Sequence, residues 1–319
     1  PAQPGAPQSV RRRWQVQILA TTWLAYFGYY FCRKAFYVVK DAMGIELGFS
    51  PVELAHIGTA YLVGYAIGQF SSAWAGRRLG PKRLLLAGMG VSIVCNVVFG
   101  LSSLLVTTAV FMALNGIAQG TGWPGCIGSL GYWFTRKRRG SILGLWSTCY
   151  QVGSLAATSF AAFVLGATGN WRWSFFGAST VLLVIWGINL WLHPNTPQDV
   201  GLAPSQDEDD LAEGGTRAES GPGLGWSRQV VITVLMMGSI YFCIKFLRYA
   251  LWSWTPYFLS RNFGLEGDQA GYLSTVFDIS GFAGVLQRLI TLIHGQQRIG
   301  QRGPVQRRAF DAVRALGQF

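Results

Sequence analysis

The sequence predicts an all-α protein that crosses a membrane several times. Three observations carry this. Half of the 319 residues are hydrophobic and only 13% are charged, about half the charged share of an ordinary soluble domain. Several separate apolar runs exceed the roughly 18–20 residues that a helix needs to cross a bilayer. Positive charge collects in the short loops between those runs, at Arg11–Arg13, then Arg77, Arg78, Lys82 and Arg83, then Arg136–Arg139. That is the excess expected on the cytoplasmic side of a membrane protein. It accounts for the net charge of +12 without a nucleic-acid partner.

Eight helical spans are predicted, at 14–36, 52–76, 82–101, 104–130, 139–166, 172–192, 229–258 and 269–293. Residues 1–13 form a short cytoplasmic N-terminus. The start "RRRWQVQILATTWLAYFGYY" is basic and then apolar, like a secretory signal. Its apolar part is too long and too aromatic for one, and no small-residue cleavage site follows. It reads as an uncleaved first span. The first six spans, 14–192, are joined by short loops. Residues 193–228 are polar, acidic and rich in Gly and Pro, and read as a flexible cytoplasmic linker. Two more spans fill 229–293.

Residues 294–319 form an atypical basic tail. From Gln287 to the C-terminus there are six Arg and six Gln and no amphipathic period. One reading is a cytoplasmic tail. The other, which the composition favours, is a reading frame lost near Leu286, so that the tail is not native sequence. The basic loops all fall on one side, which puts the N-terminus and the linker in the cytoplasm.

Other function classes find little support. Cys32, Cys95, Cys126, Cys149 and Cys243 all lie inside apolar runs without a CxxC pair, and read as small packing residues. His56, His193 and His294 lie far apart. No metal site or cofactor is expected. With no nucleophile–base pair and no nucleotide loop, neither is an enzyme.

The stretch "YYFCRKAFYVVK" places Arg33 and Lys34 near the end of the first span. A basic side chain deep in a bilayer costs about 2.5–3.5 kcal/mol on insertion scales. Near a span end it can snorkel to the headgroups, or it can face a polar cavity. Three features favour the cavity. Tyr26, Tyr30 and Arg33 fall at i, i+4 and i+7, on one helical face. The seventh span repeats the arrangement with Tyr241, Lys245, Arg248 and Trp252, and Arg248 lies mid-span. The two spans also stand at corresponding places in two halves, where transporters put central sites. Two arginines across a cavity match phosphate oxygens through bidentate guanidinium forks. The expectation from this chemistry is a carrier for a small phosphorylated anion. In the eighth span, "STVFDISGFAG" places Asp278 in an apolar run. Lys34 is a candidate partner for it; local polar packing is the alternative.

Several stretches in order, "YYFCRKAF", "NGIAQGTGWPG", "RGSILGLW", "HPNTPQDVGL" and "FLRYALWSWTPYFL", resemble the organophosphate:phosphate antiporters of the major facilitator superfamily over about residues 14–286. The resemblance implies twelve helices in two six-helix halves, of which this chain holds the N-terminal half and the first two helices of the other. It implies a monomer in the plasma (inner) membrane that exchanges inorganic phosphate for a sugar phosphate or glycerol phosphate by alternating access. Arg33 and Arg248 match the family's essential arginines, and Tyr26, Tyr30 and Tyr65 match its tyrosines. Gln69, Tyr150 and Lys245 are expected to line the cavity, and Lys34 with Asp278 to form a coupling salt bridge.

The departures bear on the substrate. Tyr150 stands where the glycerol-phosphate carriers place a histidine, and Gln69 where they have a lysine. Ser253 replaces an acidic residue, Lys245 adds a cation, and Arg77 stands where the superfamily's loop motif has an aspartate. The glycines of "NGIAQGTGWPG" and Gly153 read as helix-packing residues or as substrate contacts. Two other functions stay open: a sugar-phosphate sensor of the same fold, and a non-functional truncated product.

Overall fold

The computed structural model describes residues 8–203 and 228–284 apart from 277 and 282, and not the side chains of Ala73, Arg136, Lys137 and Trp252. The first seven residues, the linker from 204 to 227 and the tail with Leu286 lie outside the described residues. The described chain is helical, with no strand.

Its helices are α1 (Gln8–Leu47), α2 (Pro51–Leu79), α3 (Pro81–Leu101), α4 (Leu105–Gly120), α5 (Gly122–Trp133), α6 (Arg136–Trp146), α7 (Thr148–Thr168), α8 (Arg172–Leu192) and α9 (Arg228–Phe263). Residues 267–276 and 278–281 are helical again. Spans four and five of the sequence reading are each two helices end to end. Thr121, between α4 and α5, keeps right-handed helical angles, so the helical path is interrupted there and then continues. Pro124 gives the cause, since its missing N–H leaves the Gly120 carbonyl without its helical donor. By length and composition, four described helices could cross a membrane: Pro81–Leu101, Arg138–Thr168, Arg172–Leu192 and Arg228–Phe263. α1 and α2 are long enough but more polar, because their faces carry the site described below.

Local signals set the helix ends. Gly48 takes φ +70° after α1 and Gly80 takes φ +75° between α2 and α3, a conformation costly for a residue with a Cβ. Ser50 and Glu53 form a reciprocal capping box ahead of Pro51 at the start of α2, which satisfies two orphan donors.

α1 is the central post. It packs against α5, α7, α8 and α9, and almost every residue from Ala25 to Asp41 is buried. α2 and α4 lie in close contact because Gly64 and Gly68 face Ala113 and Ile117, while Gly116 faces Tyr61. A Cβ at any of these positions would collide with backbone. Gly116 and Gly120 of "NGIAQGTGWPG" are therefore packing residues, of the small-residue kind that lets membrane helices approach. Cys32, Cys95, Cys126 and Cys149 are buried as expected, whereas Cys243 lies on an exposed face of α9.

The segment read as a flexible linker begins with an ordered stretch. His193 is buried against Ser129 and Asn189. Asn195 accepts from the Lys82 backbone N–H. Pro197–Val200 form a capped 3-10 turn, and Leu202 is buried. The polar composition of 193–203 reflects capping and turn bonds rather than freedom.

Candidate functional site

Between α1 and α9 lies a cavity of about 600 Å³. All eight residues singled out for it in the sequence line it. Tyr26, Tyr30 and Arg33 come from α1, Tyr65 and Gln69 from α2, Tyr150 from α7, and Lys245 and Arg248 from α9. The helical spacing explains this. One turn and two turns separate Tyr26 from Tyr30 and Arg33, so the three side chains stack on the face of α1 turned to α2 and α9. Trp123, Ser154, Tyr241 and Tyr249 complete the wall. The side chain of Trp252 lies outside the described residues.

Arg33 is buried, which removes the snorkelling reading. Its guanidinium sits among four tyrosine rings, with Cζ 4.9 Å from the Tyr30 centroid, 5.1 Å from Tyr65, 5.9 Å from Tyr61 and 6.0 Å from Tyr26. Cation–π contact of this kind holds a desolvated cation without cancelling its charge. Arg33 Nε donates to Gln119 Oε1 at 3.0 Å. Arg33 Nη2 is buried without a hydrogen-bond partner, and so is the Tyr150 hydroxyl. Gln69 Nε2 donates to the Tyr65 hydroxyl at 2.9 Å, which orients that hydroxyl on the cavity wall. Lys245 Nζ stands 5.0 Å from the Tyr241 ring centroid. The cavity thus collects three cations and several neutral hydroxyl or amide groups, and no carboxylate is among the described residues that line it.

Lys34 and Asp278 meet beside it. Lys34 Nζ lies 3.5 Å from Asp278 Oδ2, and both are buried. Ser154 donates to the other carboxylate oxygen at 2.8 Å. The pair joins α1 to the last helical segment, across 244 residues of chain.

A second set of contacts joins α1 to α9 further along both helices. Lys40 Nζ donates to the Ser253 carbonyl at 2.6 Å and lies 3.4 Å from the Trp254 ring centroid. Asp41 accepts from Arg261 Nε at 2.7 Å and from Ser260 Oγ at 2.9 Å. The first span predicted from sequence ends at 36, short of Lys40 and Asp41, and Gln119, Tyr61 and Ser154 are not among the predicted site residues. None of these carries a signal beyond being polar within or beside an apolar run.

A model of the Major Facilitator Superfamily matches residues 22–306. The chain is 26% identical over 308 residues to a probable hexose phosphate transport protein of Chlamydia pneumoniae, covering 92% of this chain and 67% of the relative. It is 27% identical to the membrane sensor protein UhpC of Escherichia coli (strain K12), covering 86% of this chain and 64% of the relative. It is 31% identical to sugar phosphate exchanger 3 of Xenopus laevis, covering 75% of this chain and 54% of the relative. Two solved structures share the fold. A D-xylose–proton symporter has a TM-score of 0.60 at 13% identity, covering 88% of this chain and 69% of that one. A bacterial homologue of the human lysosomal transporter Spinster, inward-facing and unoccupied, has a TM-score of 0.63 at 16% identity, covering 89% of this chain and 64% of that one. The chain is a multi-pass membrane protein of the Major Facilitator Superfamily, and its relatives are those of the organophosphate:phosphate antiporter family that its motifs resemble.

Proposed function

We propose that this chain binds a phosphorylated organic anion in the α1–α9 cavity and exchanges it for inorganic phosphate by alternating access. The observation that carries the reading is a pair of buried donors without hydrogen-bond partners, Arg33 Nη2 and the Tyr150 hydroxyl, on two residues that line a cavity also lined by Arg248 and Lys245. Donors left unpaired in a low-dielectric space are costly. A phosphoryl group supplies the acceptor oxygens and the negative charge that relieve them. Arg33 and Arg248 grip the phosphoryl oxygens. Tyr26, Tyr30, Tyr65, Gln69 and Tyr150 supply neutral donors, and Lys245 adds a cation for the organic part or its phosphate. Sugar phosphates are the leading class, because the relatives include a probable hexose phosphate transport protein and a sugar phosphate exchanger.

Lys34 and Asp278 are the coupling pair. An anion beside Arg33 competes for Lys34, loosens the pair, and frees the two sides to rock. The Lys40 and Asp41 contacts hold shut the end of the cavity away from the basic loops. The cavity is then reached from the basic side, which we assign to the cytoplasm together with the N-terminus, in the plasma membrane of a monomer.

Counterflow of labelled phosphate in proteoliposomes tests this with the chain and its Arg33→Ala variant. Uptake that needs internal phosphate and vanishes in the variant upholds exchange. A relative that is a membrane sensor favours one second reading, a receptor that binds without carrying. Phosphate binding with no flux would establish that instead.

A further inference from the structure

We infer that Gln119 is the positioning residue of the anion site: its neutral amide oxygen holds the Arg33 guanidinium by Nε and so presents the terminal nitrogens, with their charge undiminished, to the ligand. The inference rests on the reading of the cavity as an anion site. Gln119 is fully buried on α4 and is not among the residues that line the cavity. Its Oε1 accepts from Arg33 Nε and from the Tyr61 hydroxyl, both at 3.0 Å. Its Nε2 donates to Ser92 Oγ at 3.3 Å and to Asn115 Oδ1 at 3.2 Å.

The amide orientation is forced. Ser92 Oγ donates to Asn115 Oδ1 at 2.6 Å, so it meets Gln119 as an acceptor. Arg33 Nε is a donor only. Turning the amide over would set its NH2 against the guanidinium. The same network reaches the α1 backbone one residue before Arg33, where Asn115 Nδ2 and Asn96 Nδ2 donate to the Cys32 carbonyl at 3.2 and 3.3 Å. Both the side chain and its point of attachment are therefore fixed by one buried, hydrogen-bonded cluster, and such clusters specify a single geometry.

The neutrality matters as much as the geometry. A carboxylate at this position would make a stronger, charge-assisted bond to Arg33, but it would offset the charge that the ligand needs. Among the described residues no carboxylate pairs with Arg33. Nε is taken by an amide and the faces by aromatic rings, while Nη2 is left unpartnered.

The test uses the full chain in detergent with Gln119→Glu and Gln119→Met variants. Binding of labelled inorganic phosphate is measured, with thermal midpoints to establish folding. Gln119→Glu is expected to bind phosphate at least about thirtyfold more weakly, from a like charge placed directly behind the guanidinium. Gln119→Met is expected to lose only several-fold. A residue that merely packed α4 would give the reverse order, because Glu keeps the two acceptor bonds that Met loses. Wild-type affinity in Gln119→Glu overturns the inference. Should that variant fail to fold, wild-type affinity in a folded Gln119→Met does the same, and a several-fold loss there upholds it.

If the unaltered chain binds no phosphate, the anion reading falls by itself, and adduct formation at Arg33 by phenylglyoxal, read by peptide mass spectrometry, decides the positioning role. A guanidine that has released its proton adds through its nitrogens to the two carbonyl carbons of the reagent, and a carboxylate at Nε would hold that proton in place. Slower labelling in Gln119→Glu upholds the contact, and an unchanged rate overturns it.

Discussion

Arg261 Nε donates to the Asp41 carboxylate at 2.7 Å, tying the last turn of α9 to the last two turns of α1. Ser260 bonds the same carboxylate, and Lys40, the residue before it, reaches the Ser253 carbonyl. Pro256 lies in α9 close by, and its missing N–H leaves the Trp252 carbonyl without its helical donor. The Arg261 side chain is half exposed, and ion pairs of that kind are worth at most about 1 kcal/mol. An ion pair this weak suits the proposed closing contact, a latch that has to open and re-form during exchange.

The Asp41→Asn variant is therefore expected to shift the balance toward an outward-open form by a few-fold and to leave folding intact. Spin labels on the ends of α1 and α9, with distances measured by pulsed electron resonance, would show a longer-distance population growing in the variant. An unaltered distribution would remove the latch from the mechanism.

The two arginines lead to a second expectation. Arg33 and Arg248 reach one cavity from α1 and α9, and a fork that takes two oxygens at once differs from a point charge on a flexible stem. Arg248→Lys keeps the charge and loses the fork. Phosphate counterflow in proteoliposomes should fall at least about tenfold, with the half-saturation concentration rising. Exchange at the unaltered rate would show that charge alone suffices at this position.

Much of the site was legible in the sequence because charge and aromatic side chains in apolar runs demand an explanation. The turn spacing of Tyr26, Tyr30 and Arg33 put them on one face, and Asp278 called for a cation, which the structure supplies in Lys34. Gln119 was not legible. It is neutral, its run "NGIAQGTGWPG" is dominated by glycines, and its bond to Arg33 spans 86 residues of chain. The extension of α1 to Leu47 was hidden for a similar reason. Lys40 and Asp41 end an apolar run in sequence, and only their α9 partners make them part of a buried helix. The packed start of the linker, 193–203, was missed because turn-forming residues look the same in sequence whether or not the turn docks.

The Lys34–Asp278 pair allows a double-mutant test. Both groups are buried, and removing one partner of a buried pair strands the other at a cost of about 3–5 kcal/mol. Lys34→Ala alone is expected to lower the thermal midpoint in detergent markedly. Adding Asp278→Asn should recover most of the loss while leaving exchange defective, because the neutral pair no longer responds to an anion. Independent, additive losses would show that the two groups are not coupled.

His193 makes stability depend on pH at the basic end of the fold. Burial, helped by the nearby charge of Lys82, lowers its pKa to about 4, while an unfolded chain keeps a histidine near 6.5. The folded state therefore prefers the neutral ring that bonds Ser129 and Asn189. Between these values the unfolded chain binds the extra proton, so stability falls as pH drops from about 6.5 toward 4, by up to roughly 3 kcal/mol. Above that window the histidine contributes no slope. Thermal midpoints measured from pH 7.5 to 4.5 should decline for the unaltered chain. A His193→Gln variant, which keeps polar contacts but cannot titrate, should show a flatter profile. Equal slopes in the two proteins would assign the acid sensitivity to other groups.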